Sequence, residues 1–95
     1  LDPINSLKAD PLSDPIAEIQ ALPLGQIFMV HFKQTLGGSP HPTVSDGDLD
    51  FARLTQMLRI KNYRGPVILE IPPAEEAFEN FGKSMKYLQS LMETG

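Results

Sequence analysis

Cysteine and tryptophan are absent from the 95 residues, so no disulfide staples a chain this short. The lack of cysteine also suits the cytoplasm, the compartment expected here. Long apolar runs are missing too. The longest, Ile27 to Val30 and Val67 to Leu69, fall far short of the ~20 residues that span a bilayer. Asp2, Pro3 and Asn5 stand where a signal peptide needs a basic start and an apolar stretch, so neither export nor a membrane partner is expected. Positive charge is scarce. Eight Lys and Arg face twelve Asp and Glu for a net charge of −4, and the basic residues are scattered singly, which argues against a nucleic-acid partner. The length allows one small domain and excludes a large multidomain enzyme, because domains usually need ~100 to 200 residues. Hydrophobic residues at 41% and charged residues at 21% are close to globular averages and exclude general disorder.

What the chain does have is proline. Its nine copies punctuate the sequence, and the segments between them are the elements. Ser13 or Asp14 followed by Pro15 is an N-cap with a first-turn proline, and Ile16, Ile19 and Leu22 recur at helical spacing, which predicts a helix over 14–22. Residues 26–32, Gln26-Ile27-Phe28-Met29-Val30-His31-Phe32, are apolar on both faces and β-prone, as a strand covered on both sides would be. Residues 33–48 turn rich in Gly, Pro and Ser and read as one long loop. Asp48 or Asp50 caps a helix over 49–62 whose face is Phe51, Leu54, Met57 and Leu58. Residues 66–71 form a second two-sided apolar strand, ended by Pro72-Pro73. A last helix over 75–93 spaces Phe78, Phe81, Met85, Leu88 and Met92 by three or four, and these are expected to pack in the core.

Helix, strand, helix, strand, helix, with no Asn-Gly or Asp-Gly turn joining the strands, is the pattern of an α/β protein built from parallel βα units. A sheet of two parallel strands is a poor independent structure, so the chain reads as part of something larger. Sites in parallel sheets gather at the carboxyl ends of strands. Three polar residues close the apolar runs: Asp2 near the start, His31 in the first strand and Glu70 in the second. Their separations of 29 and 39 residues are each about one βα unit, which places them on adjacent strand ends. One Asp, one His and one Glu converging there suit a divalent cation. Each also has a plainer role open to it. A lone His in an apolar strand is commonly a hydrogen-bonded core residue. Asp2 on its own would be solvated, and Lys33 and His41 would be a surface lysine and an exposed loop residue. Glu70 resists this treatment, because an unpaired carboxylate within Val-Ile-Leu-Glu-Ile is costly to bury.

Val30-His31-Phe32-Lys33-Gln34, Ser45-Asp46-Gly47-Asp48-Leu49-Asp50-Phe51 and Asn62-Tyr63-Arg64-Gly65-Pro66-Val67-Ile68-Leu69-Glu70 together resemble the closing portion of the xylose isomerase-like TIM barrels, the sugar phosphate isomerase/epimerase group. There a strand ending His-x-Lys-Asp leads through a Gly-x-Gly loop to a helix, and a Gly-Tyr-x-Gly-Pro turn leads to a strand carrying Glu. Leu1-Asp2-Pro3-Ile4-Asn5-Ser6-Leu7 is similar to the family's Asp-Pro-x-Asn stretch at the end of the preceding strand, which makes residues 1–7 a strand end. The resemblance implies the last two to three units of a (β/α)8 barrel. It makes Asp2, His31 and Glu70 three of four ligands to Mn, Mg, Co or Zn, with a fourth Glu from an earlier strand absent. Glu70 matches one of two carboxylates that move a proton next to a sugar carbonyl through a metal-stabilised enediolate. Lys33, Asn5 and His41 are the candidate substrate contacts. Gln34 stands where the family often has Asp, Ser45 replaces a loop Gly, and Asn5 replaces a His of some epimerases, all of which bear on substrate identity.

The leading expectation is a metal-dependent sugar or sugar phosphate isomerase/epimerase represented by a C-terminal segment, inactive alone and completed by the missing N-terminal part of the barrel or by a homo-oligomer. A non-catalytic module that associates through its open strand edge is the main rival. An endonuclease IV-like metal phosphoesterase shares the barrel, but the negative charge and only two histidines argue against it.

Overall fold

The computed structural model describes residues 1–94. Its centre is a parallel pair, β1 (Val30–Phe32) beside β4 (Val67–Leu69), in which Val30 lies opposite Val67, His31 opposite Ile68 and Phe32 opposite Leu69. Between them in the chain come a small antiparallel hairpin, β2 (Thr35–Leu36) with β3 (Ser39–Pro40), and the helix α3 (Phe51–Ile60). Two short helices, α1 (Pro3–Ala9) and α2 (Pro15–Ala21), precede the sheet, and α4 (Ala77–Thr94) ends it. The expected parallel βα units are present. No helix among the described residues is long and apolar enough to cross a membrane.

Local chemistry accounts for each start. Asp2, Asp14 and Asp50 sit at the N-caps of α1, α2 and α3 and accept from Asn5 N, Ala17 N and Arg53 N at 3.0–3.1 Å, and proline opens the first two helices. The core lies between β1 and the helices. Ile16, Ile19, Val30, Phe32, Phe51, Leu54, Met57, Leu58 and Leu88 are all buried, and the Phe32 and Phe51 rings meet edge to face with centroids 5.2 Å apart. Asp14 receives a two-pronged bond from Arg53 at 2.8 and 3.0 Å, pinning the start of α2 to α3.

Five expectations are corrected. Residues 1–7 are not a strand end throughout. Only Leu1 lies beside the sheet, its nitrogen donating to Met29 O (2.9 Å) and its carbonyl accepting from His31 N (2.7 Å), as a parallel neighbour of β1 would. The Asp2 cap and Pro3 then turn the chain straight into α1. Secondly, the strand placed over 26–32 is shorter, because residues 24–26 coil into a 3₁₀ turn after Pro23. Thirdly, the stretch 33–48 is not one loop. Gly37 and Gly38, at φ of 60° and 82°, supply the two left-handed positions of a tight hairpin turn.

The fourth correction concerns α4. Phe78 is 94% exposed, and Phe81, Met85 and Met92 are also on the surface. Leu88 is buried as expected, but beside it the helix buries Asn80 and Ser84, with Tyr87 and Leu91 half-buried. Ser84 accounts for the choice: its hydroxyl accepts from Val44 N and donates to Asn80 O, both at 2.8 Å. Nor is β4 covered on both sides, since Val67 and Ile68 are exposed. Its outer edge carries no strand among the described residues.

Candidate metal centre

Side chains alternate across a strand, and β1 uses its two faces for different ends. Val30, Phe32 and then Gln34 turn toward the helices and are buried. His31 and Lys33 turn the other way. The β1–β4 register puts Glu70, directly after β4, on the same face as His31, with Glu70 N donating to Phe32 O at 2.9 Å. Leu1 flanks β1 on its other side, so Asp2, the cap of α1, enters the group from a third adjacent segment.

The side chains meet. One ligand atom each from Asp2, His31 and Glu70 lie within 4.8 Å of one another. His31 Nδ1 is 2.9 Å from Glu70 Oε1; an ionised carboxylate can only accept, so this nitrogen carries the proton and Nε2 keeps a lone pair when the ring is neutral. Lys33 Nζ donates to Asp2 Oδ2 at 2.9 Å and to Asn5 Oδ1 at 3.0 Å, and lies 3.7 Å from Glu70 Oε2. The bond to Asp2, helped by the charge of Glu70 and opposed by burial, holds the Lys33 ammonium above its usual pKa. Side-chain exposure runs from 17% for Asp2 to 40% for Glu70, so the group is half-wet and its ion pairs contribute modestly to stability.

Could these residues hold a metal? Nitrogen and oxygen ligands sit ~2.0–2.2 Å from a first-row cation, so opposite ligands are roughly 4.2 Å apart. A cluster within 4.8 Å needs only small side-chain shifts to close on such an ion, and an imidazole with two carboxylates is a fitting donor set. Beside it opens a cleft of about 310 Å³ lined by Lys33, Glu70, Pro40, Pro72, Pro73 and Lys8, within the usual range for small-molecule sites.

Of the candidate substrate contacts, Asn5 and Lys33 belong to this group and His41 does not. His41 Nδ1 accepts from Thr43 N (3.1 Å) and contacts Thr43 Oγ1 (3.3 Å), which ties the ring to its own turn. Sequence reasoning does not foresee the buried clamp behind Lys33. Gln34 is buried and makes four bonds: its amide donates to Ser45 O and Leu49 O, and its oxygen accepts from Leu49 N (3.0 Å) and Thr35 N (3.2 Å). Gly47 packs so closely on this clamp that a Cβ there would meet Thr35 O at 2.5 Å. Asp48 accepts from Thr35 Oγ1 (2.7 Å), Gly37 N (2.9 Å) and Gly38 N (2.8 Å), and these bonds hold its carboxyl below the usual range, Thr35 contributing most. In the sequence Gln34 shows only as a departure from the family's His-x-Lys-Asp, directly after Lys33 and on the face opposite the charges.

No curated protein matches the chain. The family model described as xylose isomerase-like TIM barrel matches residues 1–91, and that family takes in sugar isomerases and epimerases as well as endonuclease IV-like enzymes, many of them metal-dependent. With three adjacent parallel segments delivering Asp2, His31 and Glu70 to one face and the match spanning nearly every residue, the chain belongs to the xylose isomerase-like TIM barrel family.

Proposed function

We propose that this chain carries part of the active site of a metal-dependent sugar or sugar phosphate isomerase/epimerase, as the C-terminal portion of a barrel. The observation that supports this is the convergence of Asp2, His31 and Glu70 within 4.8 Å beside an open cleft. A bound divalent cation supplies Lewis acidity toward the oxygens of a sugar substrate. The chain's own residues do the rest. Asp2, His31 and Glu70 would hold the ion, and Glu70 also moves the proton at the carbon beside the carbonyl. His31 orients Glu70 through its Nδ1 bond, and Lys33, bonded to Asn5 and Asp2, lines the cleft as the cation nearest the substrate oxygens.

The remaining carboxylate comes from a further segment of barrel. The bare outer edge of β4, the exposed Val67 and Ile68, and the exposed stripe Phe78, Phe81, Met85 and Met92 support that view, since such apolar surface is normally covered. One cluster among the described residues, in a chain of net charge −4, favours the isomerase over a multi-metal phosphoesterase acting on DNA.

The test has two parts. Titration of the chain with Mn²⁺, followed by electron paramagnetic resonance, is expected to show one bound ion that is lost in Asp2→Asn, His31→Gln and Glu70→Gln. Incubation with ketoses and their phosphates in deuterated water is expected to exchange the proton beside the carbonyl only when the rest of the barrel is supplied. Binding of Mn²⁺ indifferent to all three substitutions, or none at all, overturns the reading.

A further inference from the structure

We propose that the Lys33 ammonium is the resident counter-ion of the Asp2–Glu70 pair, and that a divalent cation must displace it to occupy the site. This rests on the metal-site reading above and adds a control on occupancy.

The argument begins with the count of charge. Two carboxylates and a neutral imidazole would leave two negative charges together on one half-buried face, an arrangement that repels itself. Lys33 offsets one of them. It is placed to do so by the strand: two residues after His31 it returns to the same face, and its Nζ reaches Asp2 Oδ2 at 2.9 Å while standing 3.7 Å from Glu70 Oε2. Asn5 Oδ1, one helical turn beyond Asp2, accepts a second bond at 3.0 Å and steadies the ammonium there. Every oxygen Lys33 addresses on Asp2 and Glu70 belongs to a carboxylate that a cation would use. Two cations cannot share this cluster without repulsion, and ammonium bonds to a carboxylate are lost when the oxygens turn to a metal.

The displaced side chain has somewhere to go. Lys33 already lines the adjoining cleft, which Glu70 shares with three prolines, Lys8 and Thr35, so release of Nζ leaves it at the space a substrate would fill. Metal entry and exposure of a substrate-binding cation are thereby one event. Lys33 is a positioning residue for the metal and, once released, a contact for the substrate.

The experiment is a Mn²⁺ titration of the 95-residue chain alongside Lys33→Gln and Lys33→Arg, with folding of each checked by circular dichroism. Removing a positive charge at this distance is expected to tighten Mn²⁺ about tenfold in Lys33→Gln, with Lys33→Arg staying within about threefold of the parent. Equal or weaker binding in Lys33→Gln overturns the inference and leaves the metal-site reading standing. Failure of both the parent and Lys33→Gln to bind overturns both. A second readout needs no variant: the ¹⁵N resonance of the Lys33 ammonium is expected to shift as Zn²⁺ is added. A resonance unmoved while Zn²⁺ binds overturns the inference.

Discussion

The two faces of β1 divide the work of the molecule. On the helix side Val30, Phe32 and Gln34 are buried, and among the described residues no buried side-chain nitrogen or oxygen lacks a partner. On the other side His31 and Lys33 meet Asp2 and Glu70 in contacts that are part-exposed and unequal in length, from 2.9 to 3.7 Å. The first face is closed and specifies the fold. The second keeps charges wet and exchangeable, as a site that must trade one partner for another requires. Alternation along a strand lets five consecutive residues serve both ends, and the two faces should therefore respond to mutation in different ways.

The sharpest way to break that contrast is at neighbours. Gln34→Ala deletes the acceptor of Leu49 N and the donor to Ser45 O and Leu49 O inside a buried clamp. Leaving such groups unpaired costs ~1–3 kcal/mol each where water cannot reach them, and a loss of about 3 kcal/mol is expected. Urea unfolding monitored by circular dichroism measures it. Lys33→Gln, one residue away on the wet face, is expected to cost under ~1 kcal/mol in the same assay, as half-exposed ion pairs do. Equal losses would dissolve the distinction between the faces.

A smaller and more local effect tests the rim. The Asp48 carboxylate, held below its usual pKa of 3.8 by Thr35 and the Gly38 and Gly37 amides, joins the hairpin to the loop beyond it. A carboxyl whose pKa is lowered by folding adds stability that is fully present above the unfolded value and is lost as pH falls through the folded one. The Gly37 and Gly38 amides should thus keep their protection against hydrogen exchange from neutral pH down through the ordinary carboxylate range and lose it only as pH falls through the lowered folded value. The same acid step in Asp48→Ala should leave those amides unprotected at every pH. Protection that persists in that variant would show that the turn glycines alone hold the hairpin.

The site is more legible in the sequence than the packing is. Asp2, His31 and Glu70 stand out because each is a polar residue closing an apolar run, about one βα unit from the next, and their approach within 4.8 Å follows from the β1–β4 pairing together with Leu1 lying beside β1. Lys33 comes with them by alternation. Gln34 shows in the sequence only as a departure from a family pattern, since a single amide gives no periodic signal, and its four bonds depend on how residues 45–49 return to it. Asp2-Pro3 has two local meanings, the end of a strand and the start of a helix. Both apply, one residue apart. Gly37-Gly38 is a hairpin signal hidden inside what composition alone marks as loop.

The helix α4 is where pattern misleads, and it carries the smallest expected effect. Spacing of three and four draws Phe78, Phe81, Met85, Leu88 and Met92 into one stripe, of which only Leu88 is buried, because periodicity reports that a face is apolar without naming what covers it. In this chain the other four are on the surface, and the polar pair Asn80 and Ser84 goes inside because Ser84 satisfies Val44 N. Phe78→Glu should accordingly change stability by less than ~0.5 kcal/mol, the range of surface substitutions, whereas Leu88→Ala, at the buried margin of the same stripe, should cost ~2–3 kcal/mol. Repeating both in the presence of the proposed remainder of the barrel sharpens the point. If that segment covers the stripe, Phe78→Glu becomes the more damaging change, since it would put a carboxylate into an apolar interface while Leu88 keeps the neighbours it already has. A Phe78→Glu penalty that stays near zero in both settings would mean the barrel closes elsewhere and the stripe faces water throughout.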